Sequence, residues 1–198
     1  MNWYTIPHIP FDVYVSLLKD LYHAKDSESD ISDPFADAII EDAAAMTQFQ
    51  KVKAVKMKMG DFHQKLLGSF PGWKDLGRGH ETGLDVAKED GTVFMEVKNA
   101  TNTMNSGSAK TVNDKLVNRG SLGAKVVLVQ INTGSNGKVN RSGMNPMIHV
   151  MDGKEAYAYV SGVPDCYARV LDTFKETFAR FKTWREICEF RDQSPRQA

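Results

Sequence analysis

The sequence predicts an α/β protein: a central mixed β-sheet flanked by helices, preceded by an N-terminal helical portion. Three observations carry this expectation. A hairpin signal, Asp90-Gly91, lies between apolar-alternating runs at 83–88 and 92–98. A helical segment then leads into a continuous β-branched run at 124–131, the mark of a strand buried on both faces. Long stripes at helical spacing precede and follow this core. With 198 residues, one domain accommodates the chain: 1–80 mainly helical, 81–162 the sheet core, and 163–198 a C-terminal helix.

The elements follow in order. Val13, Leu17, Leu18 and Leu21 predict a helix over about 11–24. Asp33-Pro34 marks a second helix start, with Asp as N-cap and Pro at the first helical position. From there Ile39, Met46, Phe49, Val52, Val55, Met59, Phe62 and Leu66 form one long stripe ending before Gly68, with Gly60 the place for a kink. A loop rich in Gly and Pro, 68–82, leads to the hairpin. A polar stretch, 99–108, precedes a helix of about 109–118 that stops at Gly120. Strand, helix, buried strand is a crossover unit, so 93–98 and 124–131 are expected to be parallel neighbours. After a loop at 133–146 and a strand at 147–151, Asp152-Gly153 reads as a turn into a short strand, 155–160. Pro164 then opens a single helix to about 190, striped by Tyr167, Val170, Leu171, Phe174, Phe178, Phe181, Trp184 and Ile187.

Composition bounds the function classes. Hydrophobic residues make up 41 % and charged residues 25 %, an ordinary globular balance. There is no apolar run long enough to span a membrane and no basic-then-apolar leader, so a soluble cytoplasmic protein is expected. Cys166 and Cys188 are too few for a disulfide framework or a zinc site. Net charge is zero, which counts mildly against nucleic acid as partner. The charge is uneven, however. Residues 98–141 hold Lys98, Lys110, Lys115, Arg119, Lys125, Lys138 and Arg141 against a single acid, Asp114, whereas 19–42 is acid-rich.

The hairpin carries the chemistry. With Asp90 and Gly91 at its centre, paired residue numbers sum to 181, so Asp85 falls opposite Glu96. Opposed side chains share a face about 5 Å apart, and Lys98 projects from that face too. Val93, Met95 and Val97 point to the other. Glu-x-Lys triplets are common on solvated strands; here it is the register that brings two carboxylates together. Asp152-Gly153-Lys154 fits a loose Asp-x-Lys pattern and reads only as turn punctuation. Two such close like charges imply a divalent cation. Asp85 and Glu96, helped by the Val97 carbonyl, are the candidate ligands for one or two Mg²⁺ ions. Lys98 can orient a water or stabilise a charged phosphorane. The basic segment that follows suits a phosphodiester substrate. A carboxylate-pair glycosidase fits poorly, having no use for Lys98 or the basic segment.

These residues resemble the PD-(D/E)xK nucleases, with Leu84 in place of the proline. Asp33-Pro34-Phe35, Gly60-x-Phe62-His63-Gln64-x-x-Leu67-Gly68-Ser69, Pro71-Gly72-Trp73 and Glu96-Val97-Lys98-Asn99…Asn102-Thr103…Ser106-Gly107 extend the likeness. Together they resemble type II restriction endonucleases that cut GGNCC- or GGWCC-like sites, over roughly residues 30–160. The resemblance implies a restriction-endonuclease-like fold, catalytic Asp85, Glu96 and Lys98, and Mg²⁺-dependent cleavage of double-stranded DNA at a short palindrome by a homodimer. It also sets His63 and Gln64 near the scissile phosphate.

For DNA binding, Asn99, Asn102, Asn105 and Ser106 offer paired donors and acceptors for base edges. Lys110, near a helix start, suits a phosphate. Arg141, in the loop 135–142, can bind guanine bidentately. Glu81 is a candidate extra ligand, and Glu41 or Asp42 a supporting carboxylate. Two rival functions keep the fold: a structure-selective repair or recombination nuclease, and a DNA-binding module with a vestigial metal site.

Overall fold

A computed structural model describes residues 2–26, 43–100, 106–133 and 137–193. Five strands form one sheet in sequence order: β1 (Trp73–Asp75), β2 (Val86–Lys88), β3 (Val93–Ala100), β4 (Lys125–Asn132) and β5 (His149–Asp152). The first two pairings are antiparallel and the last two parallel, so the sheet is mixed as expected. The helices are α1 (Phe11–Asp26), α2 (Ala43–Leu67), α3 (Ser106–Gly120), α4 (Gly153–Ser161), α5 (Cys166–Arg180) and α6 (Trp184–Gln193). Among the described residues, no helix is long and apolar enough to cross a membrane.

Period-two alternation divides the core. Val86, Val93, Met95, Val97, Val127, Val129 and Ile131 face one way and pack with α1, α2, α4 and α5. Leu84, Val126, Leu128 and Val150 face the other and pack with Val112 and Leu116 of α3. The α3 crossover joins β3 to β4, whose register runs from Val93↔Lys125 to Lys98↔Gln130. Apolar residues on both faces of β4 account for its continuous hydrophobic run.

Hairpin register is as the sequence indicates: Val86 pairs with Met95 and Ala87 with Phe94, each sum being 181. The connection is longer than a two-residue turn. Glu89–Thr92 form it, with Gly91 at φ 71° and its N–H bonded to the Lys88 carbonyl. Asp85 lies just outside β2, where its N–H goes to Met95 O rather than to Glu96.

Several boundaries differ from expectation. The start at Asp33-Pro34 lies outside the described residues, but α2 runs unbroken through Gly60 to Leu67. A three-residue edge strand, β1, occupies the loop after it, too short to show a period. β3 runs through Asn99 to Ala100, and α3 begins at Ser106, earlier than expected.

Segment 155–160 is helical, not a strand. Asp152 is the N-cap of α4: it accepts from Glu155 N, and Glu155 in turn accepts from Asp152 N, a complete capping box. Gly153 is there for close approach, since a Cβ would lie 2.7 Å from the Ile131 carbonyl oxygen. The C-terminal helix is two helices. Phe181 is extended, and a second box starts α6, with Thr183 Oγ1 accepting from Glu186 N and Glu186 from Thr183 N.

Candidate active site

The catalytic candidates meet on the α3 side of the sheet, where β3 emerges past the short β2. Glu96 sits mid-strand opposite Leu128 of β4 and is buried, with 3 % exposure. Its Oε1 accepts from Lys98 Nζ at 2.5 Å. Its Oε2 is buried with no hydrogen-bond partner among the described residues. A buried carboxylate oxygen left unsatisfied is costly, and an incoming cation is the natural remedy.

Asp85 completes the pair. Its Oδ2 accepts from the Val97 amide at 2.8 Å, which pins the carboxylate across the end of β2. Burial, and then the Glu96 charge, push its pKa up to about 6, while the Val97 bond, Lys98 and Lys115 pull the other way. Burial more than the Glu96 charge therefore disfavours the ionised form of Asp85. N–H and C=O of one strand residue point to the same side, so the Val97 carbonyl is directed to the Asp85 edge as well.

The donor set fits Mg²⁺. Two carboxylates and a strand carbonyl are hard oxygen ligands, and Mg²⁺ favours few protein ligands with the remainder from water or phosphate. Among the described residues, no group of three or more His, Cys, Asp and Glu gathers to make a zinc-type site.

The remaining candidates are dispersed. Asn99 bridges elements: its Nδ2 donates to Lys56 O at 3.4 Å, and its own O and Oδ1 accept from Asn132 Nδ2 at 2.9 and 3.0 Å. Asn102 and Asn105 lie outside the described residues, as do Glu41 and Asp42; Ser106 opens α3. Lys110 pairs with Asp114 at 2.9 Å on the exposed side of α3. Arg141 donates to Val150 O at 3.1 Å and lines an open cleft with His149, Glu155 and Tyr159 at the β5 edge.

His63 lies in the core on the α1 and α2 side, opposite the carboxylates, its Nδ1 2.9 Å from Tyr157 OH. Burial lowers its pKa to about 4. Gln64 donates to Asp75 Oδ1 at 2.7 Å, joining α2 to β1. Glu81 accepts from Arg119 at 3.3 Å, and that guanidinium lies 5.1 Å from the Phe94 ring centroid. The structure therefore brings together Asp85, Glu96, Lys98 and Val97, and sets His63, Gln64, Glu81 and Arg141 elsewhere.

Two residues join the site that the sequence reading did not single out. Lys115 reaches from α3 to the Gly83 carbonyl at 2.9 Å and acts electrostatically on Asp85. Gln130 is fully buried beside Lys98 in the sheet register. Its Nε2 donates to Asn140 O at 2.8 Å, and its Oε1 accepts from Asn140 N at 2.6 Å. A lone amide within an otherwise apolar strand was the available signal.

Comparisons with known proteins bear on the family of the chain. The sequence model of the Eco47II restriction endonuclease family matches residues 31–180, which include Asp85, Glu96 and Lys98. Over 73 residues the chain is 37 % identical to the type II restriction enzyme Sau96I of Staphylococcus aureus, covering 37 % of this chain and 27 % of that enzyme. Over 134 residues it is 29 % identical to the type II restriction enzyme Eco47II of Escherichia coli, covering 59 % of this chain and 55 % of that one. The matched regions thus span about a quarter and about half the length of these relatives. With a family match extending over well more than half of its residues, the chain belongs to the Eco47II restriction endonuclease family.

Proposed function

We propose that this protein is a type II restriction endonuclease that hydrolyses phosphodiester bonds of double-stranded DNA at a short palindromic site. In this reading it works in the cytoplasm as a Mg²⁺-dependent homodimer and protects the cell against foreign DNA. The observation that carries the reading is the half-buried Asp85 paired with the buried Glu96, with Glu96 Oε2 unsatisfied and Lys98 beside it.

Asp85 and Glu96 would hold the ion, with the Val97 carbonyl as a third oxygen. When bound, Mg²⁺ supplies Lewis-acid polarisation of the scissile phosphoryl group and offsets the charge developing on it. Lys98 has a separate task. Its ammonium is tethered to Glu96 and still partly exposed, so it can hold the attacking water or donate to a phosphoryl oxygen as negative charge builds there. Attack of that water on phosphorus forms one P–O bond and breaks the bond to the leaving deoxyribose oxygen, which takes up a proton as the water gives one up to solvent. Lys115 adds positive potential on the same side. A two-fold dimer follows from the symmetry of a palindrome, whose two strands present identical half-sites.

Digestion of one plasmid of known sequence with Mg²⁺, followed by sequencing of the ends, tests the proposal. Discrete fragments with a common terminal sequence are expected. Cleavage restricted to branched or nicked DNA would make the protein a structure-selective nuclease. No cutting of any duplex with Mg²⁺ or Mn²⁺ would leave a binding module.

A further inference from the structure

Asp85 stands where the chain enters the sheet. On the sheet side its N–H donates to Met95 O at 3.0 Å, and its carbonyl accepts from Leu76 N at 2.9 Å. On the other side, β2 has not yet begun, and the chain is the turn closed by Gly83 N to His80 O at 2.8 Å. Two basic residues of α3, one helical turn apart, reach that turn. Lys115 Nζ donates to the Gly83 carbonyl at 2.9 Å, and Arg119 pairs with Glu81 at 3.3 Å.

The two contacts are unequal. The Glu81 side chain is 82 % exposed, and an ion pair in open solvent holds little. The Lys115 bond is partly buried and charge-assisted. A Cβ on Gly83 would lie 3.0 Å from Lys115 Cε, so the lysine stem rests directly on the backbone it holds. Lys115 itself has a fixed base. Val112, Lys115, Leu116 and Arg119 follow the i, i+3, i+4, i+7 spacing and share one face of α3. Val112 and Leu116 are buried together with Leu84, the residue between Gly83 and Asp85. That cluster lies on the side of the sheet that bears Glu96 and Lys98. Lys115 therefore approaches the turn from the side on which the carboxylates meet.

We infer that Lys115 is a positioning residue for metal binding: by holding the Gly83 carbonyl it fixes the approach to Asp85 and keeps that carboxylate beside Glu96. This rests on the nuclease reading and adds to it a residue that touches neither the ion nor the DNA. Groups that orient a ligand from behind it change metal affinity by about 10- to 100-fold. The anchor acts before DNA is bound, so its loss falls on metal affinity and not on duplex binding. The charge of Lys115 works in the opposite sense, since an ammonium near the site repels a cation. The two effects are separated by their direction.

The test compares Lys115→Met, which keeps the stem and loses the donor, with Lys115→Arg, which keeps charge and N–H donors. Lys115→Gln, neutral and one atom shorter, is a second loss variant. Mg²⁺ alone is titrated against the full chain and read from the rise in melting temperature. Duplex binding is read by anisotropy in EDTA, and amide exchange at 83–85 in EDTA as well. Lys115→Met should weaken Mg²⁺ binding about tenfold and raise the Mg²⁺ requirement for cleavage by the same factor. Duplex affinity, and cleavage at saturating Mg²⁺, should stay near the parent's. The 83–85 amides should exchange faster, and Lys115→Arg should restore most of the metal affinity. Lys175→Met, on α5, should change none of these. Unchanged Mg²⁺ affinity in the folded loss variants overturns the inference, and so does tighter binding, the sign of simple charge repulsion. Weaker duplex binding with unchanged metal affinity also overturns it, making Lys115 a phosphate contact. In each of these cases cleavage by the parent leaves the nuclease reading standing. A parent that neither binds Mg²⁺ nor cuts any duplex sinks that reading, and this inference with it.

Discussion

The Asp85 carboxylate is held by the backbone of Val97, whose amide donates to Oδ2 at 2.8 Å. This bond puts a carboxylate beside the strand carrying Glu96 and Lys98, although β2 has already ended. It also satisfies one oxygen of Asp85 from the chain itself, while Lys98 is paired with Glu96. Asp85→Asn keeps an acceptor for Val97 and removes the charge; Glu96→Gln does the same for the other acid. Both should lose DNA cutting by at least about a thousandfold. Asp85→Asn should not melt earlier than the parent in EDTA, because it removes a charge that burial and Glu96 both disfavour. The Mg²⁺-induced rise in melting temperature should vanish in both. Retention of that rise in either variant would remove the residue from the metal site.

The same pair makes stability depend on pH in a stated direction. Asp85 titrates near 6 in the folded chain, against an ordinary value of 3.8. A raised folded pKa means the folded state holds the proton more tightly. Its stabilising contribution is complete below the ordinary value and is lost as pH rises through about 6. In EDTA, the Asp85→Asn variant should therefore lose less stability than the parent between about pH 4 and pH 7. Added Mg²⁺ should raise the melting temperature strongly near pH 8 and little near pH 5, where the proton competes for the carboxylate. Melting curves across pH, with and without Mg²⁺, read this directly. Equal Mg²⁺ shifts at both ends would be inconsistent with a titrating ligand.

The hairpin and the crossover were legible because their signals are local or periodic. Asp90-Gly91 set the 181 register, and the Val93, Met95, Val97 alternation separated core from site. What failed was punctuation. Asp152-Gly153 suggests a turn because glycine permits one, yet the residue three positions after Asp152 is Glu155, which makes a capping box. Thr183 and Glu186 hide a second box inside an unbroken aromatic stripe, so one helix was expected where there are two. Gln130 does lie in a buried strand, but its partner, Asn140, is reached only through the folded loop.

Gln130 gives a prediction of its own. Both its amide atoms bind the backbone of Asn140, so it fastens the 137–146 loop next to Lys98 as a positioning residue. Gln130→Met fills the same space but strands a backbone N–H and C=O, a cost of about 1–3 kcal/mol each if they stay buried. The loop should then detach, with faster amide exchange and proteolysis around Val139–Arg141. If the loop contacts DNA, KM should rise severalfold more than kcat falls. Gln130→Glu, which keeps the acceptor and loses the donor, should be intermediate. An unchanged exchange pattern would show that the other anchors suffice, Arg141 to Val150 and Asn145 to Asn113.

His63 separates the family likeness from the geometry. The likeness sets it near the scissile phosphate, whereas the structure buries it against Tyr157 with a pKa lowered to about 4. A depressed folded pKa stabilises the fold above the ordinary value of 6.5, and that stability is lost as pH falls toward 4. His63→Asn retains a short polar partner for Tyr157 and removes the titration. It should lower stability at neutral pH by about 1–3 kcal/mol through lost packing. It should also flatten the acid-induced loss between about pH 6.5 and pH 4. Cleavage by the folded variant should keep the parent's pH–rate profile, because a neutral core imidazole has no proton to exchange with substrate near neutral pH. A selective fall in kcat, with the fold intact, would instead return His63 to the active site.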